Sequence, residues 1–399
     1  MEYTDALKQF VQDHLSEDPA QLLLRYAGKT DFDLKFAVQQ VQSRRKAKHK
    51  LPSWFANPDI IFPVSLSMEQ ASSEDTANFK ASLAQGKILI DLTGGFGVDT
   101  FSLSENFQKA IYCERNSELA EIVSHNFDLL NPGKFEIVKG DSLEYLSKSN
   151  QVFDLVYLDP ARRGDHNQKL YKLADCEPDI VSNWEAVQSK ANAVLIKASP
   201  MLDIKQAISE LPEIQKIWVI SVKNEVKEVL LLWEKGKEID KRIIQAVDLQ
   251  SDGPKEFSFR YEEEESSESI FGEVEKYLIE PYAAILKAGA FRSFGKRFGL
   301  KKLHPNSHVY TCSILPKGIP GRIFEVVREI HNPKKELKTL FPNGKVNVLT
   351  RNYALSADEL KKKYRLKDGG DRFLIGTKVG ERFTLMLVSP YIYQKQPND

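Results

Sequence analysis

Between about residues 86 and 200 the chain alternates short apolar runs with segments of helical period. Ile88-Leu-Ile-Asp91 is an apolar run that ends in a carboxylate and breaks through Leu92-Thr-Gly-Gly-Phe-Gly97 into Val98 to Leu103, which has helical character. Lys109-Ala-Ile-Tyr-Cys-Glu114, Phe135-Glu-Ile-Val-Lys-Gly-Asp141 and Phe153-Asp-Leu-Val-Tyr-Leu-Asp159-Pro160 repeat the pattern. Between them, Glu118 to Leu130 carries Leu119, Ile122, Val123, Phe127 and Leu130 at spacings of three and four, the stripe of an amphipathic helix. Strands alternating with helices predict a parallel sheet with right-handed crossovers. Ala193-Val-Leu-Ile-Lys-Ala-Ser199 reads as a fifth strand. Ile217 to Val222 and Glu228 to Trp233 read as an antiparallel hairpin turned by Lys223-Asn-Glu-Val-Lys227.

In such a sheet Asp91, Glu114, Asp141 and Asp159 all fall at strand carboxyl ends, the edge where open α/β sheets bind ligands. A nicotinamide-binding domain also puts an acid after its second strand, but it needs G-x-G-x-x-G. Gly94-Gly-Phe-Gly97-Val-Asp-Thr100 lacks the third glycine, and that assignment leaves Asp141 and Asp159 idle. From about Pro63 to Lys235 the chain resembles the class I S-adenosylmethionine-dependent methyltransferases. The resemblance implies a Rossmann-like, seven-stranded α/β sheet and S-adenosylmethionine as cofactor. Gly94, Gly95 and Gly97 would let its amino-acid portion lie against the backbone, with Asp91 and Thr93 beside its amino group. Glu114 would accept both ribose hydroxyls, and Asp141 would meet the adenine amine beside the Ser142 N–H. Glu114 and Asp141 would serve equally well as helix caps or loop acids.

Asp159-Pro-Ala-Arg-Arg163 resembles the N/D-P-P-[FYW] signature of methyltransferases that act on exocyclic amines of nucleobases. There the side chain and the proline carbonyl hold the target amine, so Asp159, Pro160 and Arg162 are the catalytic candidates and Asp159 also borders the cofactor. The stacking aromatic of the signature is missing. Arg162 stands near its place and can stack on a base or hold a phosphate; alternatively Arg162 and Arg163 pair with Asp165 or Asp159. Methylation of a pyrimidine carbon needs a cysteine nucleophile, and Cys113, Cys176 and Cys312 all lie outside this motif. Nitrogen is therefore the expected target, with ribose oxygen behind it.

Three cysteines without paired spacing, and no cationic-then-apolar leader, lead to the expectation of a cytoplasmic protein. No apolar run reaches membrane-spanning length. His304-Pro-Asn-Ser-His308 suggests no metal, because Pro305 breaks the helix that would align the two imidazoles. The formal net charge is zero, yet Pro281 to Phe324 holds eight basic residues and no Asp or Glu. Within it Phe291-Arg-Ser-Phe-Gly-Lys-Arg-Phe-Gly-Leu-Lys-Lys302 interleaves aromatics with Arg292, Lys296, Arg297, Lys301 and Lys302, a composition suited to RNA phosphates and unpaired bases. The alternative is that the phenylalanines are core and the lysines a solvated face. Glu262 to Glu265 reads as an acidic loop.

The expected organisation is a helical region over 1–60, ending in the basic helix end Gln39 to Lys50, which clasps the next domain or touches RNA. A methyltransferase domain follows over 61–248, with Leu249 to Lys255 as linker. The α+β remainder resembles a ferredoxin-like domain (256–318) and a THUMP-like domain (321–393) attached to bacterial methyltransferases of unassigned substrate. Because THUMP domains bind RNA, that resemblance implies tRNA or rRNA as partner. The function expected is methylation of an RNA base nitrogen. The alternatives are a methyltransferase for a protein or small molecule, or a cofactor-sensing RNA-binding protein without turnover.

Overall fold

The computed structural model describes residues 3–162, 172–239 and 242–392. It comprises two units, Met1–Ile217 with Lys227–Arg242, and Trp218–Val226 with Ile243–Asp399.

In the first unit, β1 (Gly86–Asp91), β2 (Phe107–Glu114), β3 (Phe135–Lys139), β4 (Leu155–Leu158) and β5 (Ala193–Ala198) pair in parallel. Strands β6 (Lys216–Val222), most of which belongs to the second unit, and β7 (Glu225–Glu234) follow, and β7 runs antiparallel to β5 with Ala193 opposite Glu234 and Ala198 opposite Val229. The order along the sheet is β3-β2-β1-β4-β5-β7-β6. These seven are part of a nine-stranded sheet that also holds Ile243–Gln250 and Gly253–Phe259, two strands more than the α/β sheet that the resemblance implied. Every residue of β4 is buried, as expected of a central parallel strand covered on both faces. The predicted turn between β6 and β7 is tighter than its charged run suggests. It is Lys223-Asn224 alone, both at positive φ (50° and 65°), the conformation that matches the twist of a two-residue hairpin.

Helices α1 (Asp5–Asp13), α2 (Pro19–Tyr26) and α3 (Leu34–Lys50) share a core of Leu7, Phe10, Val11, Leu22, Ala37, Val38 and Val41. The basic end of α3 is a clasp. Arg44 is buried, and its guanidinium donates to the carbonyls of Phe55, Asn57, Pro58 and Ile60. Gln40 bonds both the N–H and the C=O of Phe62, and Asn126 does the same for Ile61. Side chains thus satisfy an extended strap that has no ladder of its own, as buried backbone requires.

In the second unit, β8 (Ile243–Gln250) and β9 (Gly253–Phe259) form a hairpin where a linker was expected, so Leu249 to Lys255 is two strand ends and their turn. An eight-stranded sheet follows: β10 (Ile270–Phe271), β11 (Tyr277–Pro281), β12 (Lys301–Lys302), β13 (Tyr310–Cys312), β14 (Gly321–Glu329), β15 (Asn347–Arg351), β16 (Phe373–Val379) and β17 (Arg382–Pro390), in the order β10-β12-β13-β11-β14-β17-β16-β15. The expected ferredoxin-like and THUMP-like segments therefore share one sheet, joined where β11 pairs antiparallel with β14.

Candidate active site

The turn after β1 is built around its own packing. A Cβ on Gly94 would lie 2.1 Å from the Tyr112 ring, and one on Gly97 (φ 78°) would lie 2.7 Å from Phe127, so both positions exclude a side chain through the protein's own packing. Gly95 differs: at φ 54° its absent Cβ would meet nothing closer than 3.8 Å. Its N–H donates to Glu114 Oε2 (2.9 Å) and its C=O accepts from the Tyr112 hydroxyl (2.6 Å). Glu114 Oε1 accepts the Asn116 N–H at 2.8 Å. The carboxylate at the end of β2 is thereby fixed against the turn after β1.

Asp91, the last residue of β1, is 1% exposed. Its Oδ1 accepts the Thr93 N–H at 2.8 Å, and its Oδ2 accepts the Thr100 hydroxyl on α5 (Val98–Ser104). Burial pushes its carboxyl up to about 7 against the pull of these two hydrogen bonds. Asp141 caps α7 (Ser142–Lys148), its Oδ1 taking the N–H groups of Leu143 and Glu144, while its Oδ2 accepts from Arg115 at 2.6 Å. The Glu144 N–H bond is the largest influence holding the Asp141 carboxyl below its usual range. The capping alternative for Asp141 is thus realised, and the free lone pairs of the carboxylate remain for a ligand. Ser142 is buried.

Asp159 follows β4, where Pro160 is buried. Its N–H donates to Thr93 Oγ1 and its Oδ2 lies 2.5 Å from Lys197 Nζ. This joins Asp159 to a buried charge cluster that periodicity and motif do not reveal. Asp99 on α5 lies 3.7 Å from Lys197 and 3.2 Å from Lys80, the latter on α4 (Glu74–Ala81). Lys80 also pairs with Glu228 of β7 at 2.6 Å. Tyr157 and Ser72 donate hydroxyl bonds to Asp99 Oδ2. Four of these five ionic groups are less than a tenth exposed, and buried charges are tolerated only when paired in this way. The one signal in the sequence is a lysine inside the apolar strand Ala193–Ala198.

Ala161-Arg162 forms a short antiparallel pair with Cys176-Glu177, which sets Cys176 opposite the Arg162 backbone. Cys176 is buried, its Sγ directed at the Lys172 carbonyl. The Arg162 side chain, with Arg163 and Asp165, lies outside the described residues. Cys113, Cys176 and Cys312 are free thiols. Among the described residues no cluster of three or more His, Cys, Asp or Glu could hold a metal, and no helix is long and apolar enough to cross a membrane.

The predicted basic segment is largely committed to its own domain. Lys302 is 4% exposed, with Nζ on the Pro305 carbonyl, and burial lowers it to about 8, so it stands inside the domain and not on a basic face. Arg297 pairs with Glu263 and Lys301 with Glu275. The expected acidic loop is helix α8 (Tyr261–Ser266), and its Glu264 caps α9 (Arg292–Phe298) by accepting the N–H groups of Phe291, Arg292 and Ser293. Phe294 is core, as the second reading of that segment had it. Only Lys296 of the five is exposed without an ion pair or side-chain bond among the described residues. Unpaired cations concentrate further on. Residues 333–372 hold eleven Lys and Arg against five Asp and Glu. Lys334, Lys335 and Lys338 on α10 (Pro333–Leu340) and Lys362 and Lys363 on α11 (Ala357–Tyr364) are exposed and form no ion pair among the described residues.

Carboxylates at four strand ends, with an open glycine between two of them, suit a cationic ligand that carries an amine and a diol. The donor set fits S-adenosylmethionine. Residues 74–193 match the family described as conserved hypothetical protein 95, residues 277–320 a ferredoxin-like domain and residues 321–390 a THUMP domain-like family. The chain is similar, over 98% of its length and the whole of the other, to a crystal structure from Porphyromonas gingivalis W83 provisionally assigned as a methyltransferase, with 32% identity and a TM-score of 0.87. It is also 23% identical over 349 residues to an uncharacterized S-adenosylmethionine-dependent methyltransferase of Mycobacterium tuberculosis, spanning 86% of this chain and 92% of that protein.

Proposed function

The chain belongs to the S-adenosylmethionine-dependent methyltransferases, and on that premise we propose that it methylates RNA at a base nitrogen. Bound, the cofactor supplies an electrophilic methyl group on a sulfonium. Asp91 and Thr93 would hold its amino group, Glu114 its ribose, Asp141 and Ser142 its adenine, and Gly94, Gly95 and Gly97 would offer the backbone surface beneath it. Asp159 and the Pro160 carbonyl would accept the N–H bonds of the acceptor amine and so orient its lone pair, a catalysis of position and charge. Arg162 would take the place of the signature's missing aromatic. The buried Cys176 thiol is not a nucleophile in this scheme, which disfavours a pyrimidine carbon and keeps nitrogen ahead of ribose oxygen as the acceptor.

One observation carries the RNA reading: the unpaired cations of residues 333–372 in a chain whose formal net charge is zero. Phosphate neutralisation by Lys and Arg supplies most of the sequence-independent affinity for nucleic acid. The test is to incubate the protein with methyl-labelled cofactor and total RNA from a strain lacking its gene, with Asp159→Ala alongside. Label in one RNA size class, lost in the variant, is the expected result. Label that enters only protein or small molecules would overturn the RNA acceptor.

A further inference from the structure

Strand β5 devotes one of its six positions to a lysine. Lys197 is 9% exposed, and its ammonium has three carboxylates around it: Asp159 on the loop after β4, Asp99 on α5 and Glu228 on β7. Burial works against its charge, but these acids outweigh that cost and hold the group above its ordinary range. The cluster contains a second lysine, and the two divide the work. Lys80 takes Glu228 at 2.6 Å and Asp99 at 3.2 Å, so the interior acids have a cation without Lys197. The close contact that belongs to Lys197 is with Asp159 Oδ2, at 2.5 Å.

A carboxylate is two-fold symmetric about its last torsion, which has a broad and shallow profile. Asp159 is pinned at two points: its N–H on Thr93 Oγ1 and its Oδ2 on Lys197. Its Oδ1 has no hydrogen-bond partner among the described residues.

We propose that Lys197 is a positioning residue for methyl transfer: it holds Oδ2 of Asp159 and so reserves Oδ1 for the N–H of the acceptor. The inference rests on the role given to Asp159 above. It also gives a reason for a charge in the interior of an otherwise apolar strand. Lys197 acts through Asp159 alone, which makes its effect dependent on that residue.

The experiment compares Lys197→Met, Lys197→Arg, Asp159→Asn and the double variant Lys197→Met/Asp159→Asn in the full chain, with cofactor and the RNA that the wild type labels. Cofactor affinity is read by calorimetry and kcat across pH. Lys197→Met is expected to keep its cofactor affinity and lose about 100-fold in kcat, the scale of a misplaced reacting group. The substitution removes the positive charge nearest Asp159, so the pH profile of the residual rate is expected to shift from that of the wild type. The other groups that face the pair, Asp91, Asp99, Tyr157, Glu228, Lys80 and Lys50, remain in place. Lys197→Arg restores part of the rate and the wild-type profile, and the double variant is no slower than Asp159→Asn. Should Lys197→Met not fold, Lys197→Gln, which keeps an N–H donor without the charge, carries the same comparison. Undiminished kcat, an unshifted pH profile, or a double variant as slow as the product of the two losses overturns the inference alone. A wild type that labels no RNA overturns the proposed function, and this inference with it.

Discussion

Glu114 and Gly95 are joined by a 2.9 Å hydrogen bond from the Gly95 N–H to Oε2, across the gap between β1 and β2. Because Oε1 is tied to the Asn116 N–H as well, the carboxylate is oriented before any ligand arrives. Each oxygen keeps a lone pair for a hydroxyl donor.

Glu114→Ala should therefore weaken the cofactor without unfolding the chain. Hydrogen bonds to a charged group contribute about 1.5–3 kcal/mol each, so losing the bonds to both ribose hydroxyls should weaken affinity about 100-fold or more. Titration calorimetry with cofactor or its demethylated product measures this, and thermal unfolding checks the fold. Unchanged affinity would remove Glu114 from the site.

Asp91 makes cofactor binding pH-dependent. Its carboxyl is raised to about 7, chiefly by burial, so it is mostly protonated below that pH in the free protein. Only the ionised form pairs with an ammonium group, so affinity should rise as pH climbs through about 7 and then level off. Below that pH, binding should release a proton. Calorimetry in buffers of different ionisation enthalpy detects that proton, and Asp91→Asn should abolish both effects. Binding with no proton release on the acid side would place the cofactor's amino group elsewhere.

The sheet and its acidic edge are legible in the sequence because they depend on local periodicity: β1 to β5 and α6 (Ser117–Leu130) all fall where their residues predict. The charge cluster is not legible, since Lys80 and Glu228 lie 148 residues apart and only the closed sheet brings them together. Gly94 reads as making room for a ligand, whereas Tyr112 alone excludes its side chain. The acidic run at Glu262 to Glu265 resembles a solvated loop for a related reason: the helix end that it caps begins at Phe291, far along the chain. A tally of basic residues says where cations are, and only tertiary structure says which are already paired.

The Lys80–Glu228 pair should matter more to stability than any surface ion pair here. Both side chains are almost wholly buried, so Glu228→Ala takes from Lys80 its 2.6 Å partner, leaves it Asp99 at 3.2 Å, and should cost about 3 kcal/mol in urea unfolding. Replacing both, as in Lys80→Met with Glu228→Leu, removes the charges together and should recover most of that loss. A double variant no more stable than Glu228→Ala would mean that Asp99, not Glu228, is the main counter-charge of Lys80.

The last prediction separates two basic regions that composition alone makes look alike. Lys334, Lys335, Lys362 and Lys363 are exposed and unpaired among the described residues, whereas Arg297 and Lys301 are bound to Glu263 and Glu275. An ion-paired cation must give up its partner before it can neutralise a phosphate, so its net gain from RNA is smaller. Changing the four lysines to Glu in the full chain should weaken RNA binding most at low salt. The dependence of log affinity on log salt should flatten by about 0.7–0.9 for each phosphate no longer neutralised. Arg297→Ala with Lys301→Ala should leave that slope close to the wild type. The reverse ranking would move the RNA from the α10 and α11 lysines to the α9 segment, where interleaved aromatics and cations first suggested it.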